Sequence, residues 1–99
     1  MTFRSRKLLD LAHEAPCCLR LGTAECGNYP SVPCHSDMLE HGRGVGHKSD
    51  DSLAVPGCPA CHALFTRGNL GRDGYQQIHA RAMVRYVQWM WANGKVRLA

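Results

Sequence analysis

Gly57-Cys58-Pro59-Ala60-Cys61-His62 places two cysteines two residues apart, with a histidine directly after them. The turn between such cysteines aims both thiolates at one point, forming a knuckle. Zinc takes four ligands of this kind in a tetrahedron, so the knuckle calls for a second pair elsewhere in the chain. Cys17 or Cys18, together with Cys26, supplies it. Cys34 is an unpaired extra, expected in the core as a small apolar residue rather than on the metal. His62 is then left for other work.

Two other readings of the knuckle are weaker. Cys58-x-x-Cys61-His62 also has the form of a c-type haem attachment site, but four further cysteines would then be unexplained. A thioredoxin-like redox pair needs a βαβ pattern around it, and none is visible.

The chain has 99 residues, which points to a single domain spanning 1–99. A chain of this size buries only about 60–65% of its unfolded surface, so its apolar core is marginal. A structural metal offsets that, since apparent zinc binding in small peptides is on the order of 10–16 kcal/mol. The net charge of +4 fits a polyanionic partner. Met1 to Lys7 is basic but is not followed by an apolar run of signal-peptide length, and no stretch has the ~20 apolar residues of a membrane span. The expected setting is therefore cytoplasmic, with no membrane partner. In a reducing compartment, six cysteines and six histidines point to metal before disulfide.

Upstream of the knuckle, residues 4–15 read as a helix with Ser5 at its start. Leu8, Leu9, Leu11 and Ala12 form the apolar face, Arg4, Arg6 and Lys7 the solvated one, and Pro16 ends it. Cys17 to Leu21 is strand-like, and Ser31 to His35 reads as a second short strand limited by Pro30 and Pro33. Residues 36–57 are irregular; Gly42, Gly44 and Gly46 there, with Arg43 and Lys48, suit close approach to a phosphate.

Downstream, Ala60 to Arg67 form a short helix stopped by Gly68. A long helix follows over 74–93, capped by Asp73 and ending before Gly94. Tyr75, Ile78, Ala82, Tyr86 and Trp89 repeat at helical spacing and read as core. Arg81 and Arg85 lie opposite. The stripe from Tyr75 to Asn93 leaves a homodimer contact open.

A hydrolytic nuclease needs a base to deprotonate water and a cation at the scissile phosphate. Neutral imidazole suits the first role. A histidine ending a short strand, facing one at the start of a helix, meets both needs. In this arrangement the chain resembles the HNH (ββα-metal, treble-clef) endonucleases, and more narrowly the phage and prophage YbcO-like nuclease family. The matching pieces are Arg4 to Asp10, Pro16-Cys17 with Leu19-Arg20, Cys26-Gly27-Asn28, Cys34-His35-Ser36, Gly42-x-Gly44-x-Gly46-x-Lys48, Asp51, and Cys58-x-x-Cys61-His62.

The resemblance implies a small α+β domain, zinc-stabilised, with a core over 16–68 and helical flanks at 4–15 and 74–93. It implies a DNA endonuclease, encoded by a phage or prophage. His35 would be the general base, and His62 would hold a catalytic magnesium or manganese ion. Cys17, Cys26, Cys58 and Cys61 would hold structural zinc, with Cys17 favoured over Cys18 by the family pattern. Asp51 would orient His35 or bind metal, and Arg43 and Lys48 would meet phosphates. The chain departs from the family in having Cys34 before the base and Thr66 where an aspartate is common. The second ligand of the catalytic ion is left among Asp51, His41 and His47, and Asp37 is an alternative to Asp51 for orienting the base. A non-catalytic zinc module for nucleic acid or protein is the alternative reading.

Overall fold

The computed structural model describes residues 3–24, 26–27, 30–36, 38 and 48–98. The first helix, α1 (Arg6–Glu14), starts where Ser5 turns extended and its hydroxyl accepts the Leu8 N–H at 3.3 Å. It stops at Ala15 because the residue before a proline is pushed out of helical backbone. Ala12 is buried on the inner face, and His13 Nδ1 meets the Ser31 carbonyl at 3.0 Å. Arg4 corrects the sequence reading: it precedes the helix, and its guanidinium reaches Lys48, Ser49 and Asp51 instead of staying solvated.

The sheet is a single antiparallel pair, β1 (Val32–Cys34) and β2 (Val55–Gly57), in the register Val32 to Gly57, Pro33 to Pro56 and Cys34 to Val55. Two prolines face each other at its centre and neither donates a hydrogen bond, which keeps the ladder short. The segment expected as a strand, Cys17 to Leu21, is not one. Cys18 N–H bonds the Pro56 carbonyl at 2.8 Å, but Arg20 has φ 48° and Gly22 φ 80°, so the chain turns away before a ladder forms. Gly57 permits this approach. A Cβ there would lie 2.5 Å from Leu19 Cδ1 and 3.0 Å from Cys34 Sγ.

A 3-10 turn, Asp51–Leu53, leads into β2. Then α2 (Pro59–Arg67) begins with proline at its first position, where no amide donor is needed, and closes with Gly68 N–H on the Leu64 carbonyl. The long helix α3 runs Gly71–Ala92, three residues ahead of the expected start. Asp73 is not its cap but sits in the first turn, where a carboxylate complements the helix dipole. The far end matches expectation. Gly94 takes φ +66°, Lys95 N–H bonds the Met90 carbonyl and Gly94 N–H the Trp91 carbonyl, a Schellman closure.

The core lies where α1 packs on β1 and α3 on β2. Leu19, Cys34, Val55, Phe65, Ala82 and Tyr86 are buried in it. Phe65 stacks on Tyr75 with ring centroids 4.2 Å apart. The stripe from Tyr75 to Trp89 faces this core, and His79 joins it with Nε2 2.8 Å from the Leu53 carbonyl. Arg85, expected on the solvated side, instead donates to the Cys18 carbonyl at 2.8 Å. Val84, Val87 and Trp91 stay exposed. Among the described residues the result is a small α+β fold of three α-helices and a two-stranded sheet. Among the described residues no helix is long and apolar enough to cross a membrane.

Candidate metal centre and the histidine site beside it

Cys17, Cys26, Cys58 and Cys61 bring their sulfurs within 4.8 Å of one another. Four thiolates at about 2.3 Å from zinc stand about 3.8 Å apart along each edge. The Cys17–Cys26 and Cys26–Cys58 separations, 4.0 and 3.9 Å, are close to that; Cys26–Cys61, at 3.0 Å, would have to open slightly. Cys17, Cys58 and Cys61 are buried and Cys26 is half-buried. The cluster is thus compatible with a structural metal such as zinc, and its all-sulfur donor set suits that ion.

The surroundings of the sulfurs match the same chemistry. Leu21 N–H points at Cys61 Sγ at 3.4 Å. Thr23 Oγ1 lies 3.4, 3.5 and 3.6 Å from the sulfurs of Cys61, Cys58 and Cys26. Hydrogen bonds from Cys61 and Thr23 bring Cys26 down to about 6, so it ionises first. Burial pushes Cys61 up to about 12 and also raises Cys17. Burial makes thiolates at Cys17 and Cys61 costly without a counter-charge, which a cation replacing their protons would supply. The two other cysteines are turned elsewhere. Cys18 Sγ faces the Pro16 carbonyl and Cys34 Sγ the Val32 carbonyl, and burial raises both thiols.

The second constellation lies across the hairpin. His35 directly follows β1, and its Nε2 is 2.9 Å from Asp51 Oδ1. Asp51 opens the 3-10 turn and is only 5% exposed, so each oxygen needs a partner. Oδ1 also takes Arg4 Nη1 at 3.1 Å, and Oδ2 takes the Ser5 N–H at 2.7 Å. Burial by itself would raise the carboxyl, but bonds from His35, Ser5 and Arg4 outweigh it and hold it below the usual range. An ionised carboxylate only accepts hydrogen bonds. Nε2 of His35 therefore carries the proton, and in the neutral ring the lone pair is on Nδ1.

His62 sits in the first turn of α2, its N–H bonded to the Cys58 carbonyl at 2.8 Å. Burial lowers its basicity first, and the positive charges of His35 and Lys48 lower it further. His35 and Lys48 thus both lie close enough to His62 for their charge to act on it. Asp51 has both oxygens engaged, Oδ1 on Arg4 and His35 and Oδ2 on the Ser5 N–H. Among the described residues His62 joins no second cluster of three or more ligand-type side chains. Arg43, Asp37, His41 and His47 lie outside the described residues.

Sequence reasoning missed Arg4, the Ser5 amide and Thr23. Thr23 between cysteines was a readable signal for a hydroxyl near sulfur. For Arg4 there was none, since its partners lie more than forty positions away along the chain. No family model, curated protein or solved structure matches this chain.

Proposed function

We propose that this protein is a metal-dependent HNH-type endonuclease that hydrolyses DNA phosphodiester bonds on a zinc-stabilised treble-clef core. One observation carries the reading: a histidine at the end of β1, hydrogen-bonded to a buried carboxylate, lies near enough to a histidine at the head of α2 for its charge, with that of Lys48, to act on it. The resemblance of the motif order to that family supports it.

In this reading His35 is the base. Its Nε2–H is held on Asp51, so Nδ1 takes the proton from water as the oxygen attacks phosphorus in line with the leaving oxygen. Asp51 stays ionised and stabilises the imidazolium that results. Lys48 meets a phosphate oxygen. His62 would hold a magnesium or manganese ion, which would stabilise the charge developing on the phosphate. No covalent enzyme intermediate is required.

The absence of a second protein ligand for that ion among the described residues favours one rival, a zinc module that binds nucleic acid without cutting it. Plasmid cleavage with magnesium or manganese, with EDTA, and with a zinc-loaded His35→Ala variant separates the two. The nuclease is expected to cut only with metal, and His35→Ala to lose about 10²–10⁴-fold in rate. Binding without cutting by either protein supports the rival, and equal cutting by both removes His35 from the mechanism.

A further inference from the structure

We infer that Arg4 is a positioning residue, which clamps Asp51 and the Lys48–Ser49 backbone so that His35 is held in the tautomer a base requires. Its kinetic consequence rests on the nuclease reading; its structural one does not.

The geometry is specific. Nη1 donates to the Ser49 carbonyl at 2.5 Å and to Asp51 Oδ1 at 3.1 Å, while Nη2 donates to the Lys48 carbonyl at 2.6 Å. An arginine side chain 44% exposed would ordinarily be a solvated surface group worth little. Here the planar fork meets two carbonyls and a carboxylate at once, which a point charge on a flexible stem cannot do. Both terminal nitrogens are turned inward, so the side chain is engaged with the protein rather than offered to a phosphate. The backbone continues the clamp. Ser5 N–H holds Oδ2, Asp51 N–H bonds the Phe3 carbonyl at 3.0 Å, and Phe3 N–H bonds Asp50 Oδ1 at 3.2 Å.

Asp51 Oδ1 is the atom His35 shares with Arg4. Fixed from the far side, it presents one lone pair to Nε2. Without Arg4 the carboxylate can rotate about its side chain, the Lys48–Ser49 carbonyls lose a donor, and His35 can place its proton on either nitrogen. The ring then spends part of its time with Nδ1 protonated, a form in which that nitrogen cannot accept a proton from water.

The test uses zinc-loaded full-length protein labelled at histidine nitrogen. NMR of the imidazoles is recorded well above the ordinary histidine range, at about pH 8.5. His35 is expected as the Nε2–H tautomer in wild type and in Arg6→Ala, which removes the same charge at an exposed site. It is expected as a tautomer mixture in Arg4→Ala. Cleavage kinetics should show kcat lower by about 10–100-fold, with KM changed by less than about twofold. An unchanged His35 tautomer in Arg4→Ala overturns the proposal, and so does a rise in KM with kcat intact, which would make Arg4 a phosphate contact. If Arg4→Ala does not take up zinc, Arg4→Lys decides by the same tautomer measurement, because it keeps charge but not the fork. The tautomer result stands even if wild type cuts no DNA, so a failed nuclease reading is told apart from a failed clamp.

Discussion

The sulfur centre and the histidine centre lie on the same hairpin but are built by opposite means. Cys58 and Cys61 come from the head of α2 and Cys17 and Cys26 from the irregular chain after α1, and the metal they suit would tie these two segments together. His35 and Asp51 are held by ordinary hydrogen bonds from Arg4 and Ser5. The first is a staple for a chain with a thin core, and the second is a placement device. One should fail by unfolding, the other by losing geometry while the fold persists.

Metal removal should break this comparison most completely. Stripping zinc with a strong chelator is expected to unfold the protein, since the apparent binding energy, on the order of 10–16 kcal/mol, exceeds the stability of most small domains. Circular dichroism and zinc content would be followed together. Native helix content after full removal would show that the apolar core suffices. Cys18→Ser, by contrast, should keep its zinc and lose only about 1–2 kcal/mol, because that thiol points at the Pro16 carbonyl.

Asp51→Asn sharpens the other side. It should keep zinc and cost about 2–3 kcal/mol in denaturant melts, from loss of a buried acceptor shared by a cation and a histidine. The pH dependence follows from its direction of shift. The folded carboxyl ionises below the unfolded value of about 3.9. Its contribution is therefore complete above that value and disappears as pH falls through the lower folded one. The stabilities of wild type and Asp51→Asn should converge below about pH 4; a constant gap down to pH 2 would show that Asp51 acts through packing instead.

Gly57 touches both regions. Gly57→Ala drives a methyl into Leu19 and Cys34 and should cost about 1–3 kcal/mol in urea. If the hairpin is the shared support, zinc affinity and His35 orientation should weaken together; an effect on one alone would separate them. Ser5→Ala is the smallest expected change. It removes the Leu8 cap but leaves the amide on Asp51, costing about 1 kcal/mol with the His35 tautomer unchanged.

Much of the scaffold was legible locally. The helix after the knuckle, the stop at Gly68, the turn at Gly94 and the buried stripe of α3 all follow from spacing and from residues with strong backbone preferences. β2 was not legible, because Val55-Pro56-Gly57 has neither length nor alternation and becomes a strand only by pairing with β1. Asp73 looked like a cap because short acidic residues usually are. The helix instead begins at Gly71, with Asp73 inside its first turn.

The amino-acid sequence by itself determined the donor types, their pairing into a knuckle and a second pair, and which helix faces are apolar, since these depend on neighbours a few residues away. The family pattern favoured Cys17 over Cys18 and offered Asp51 as a partner of His35; tertiary structure puts Cys17 in the sulfur cluster, binds Asp51 to His35, and alone decided that Arg4 reaches across to hold it. The physical reason is reach. Backbone preference and periodicity act within a helical turn or a strand, whereas a buried carboxylate takes its partners from whatever chain segments the folded core brings within about 3 Å.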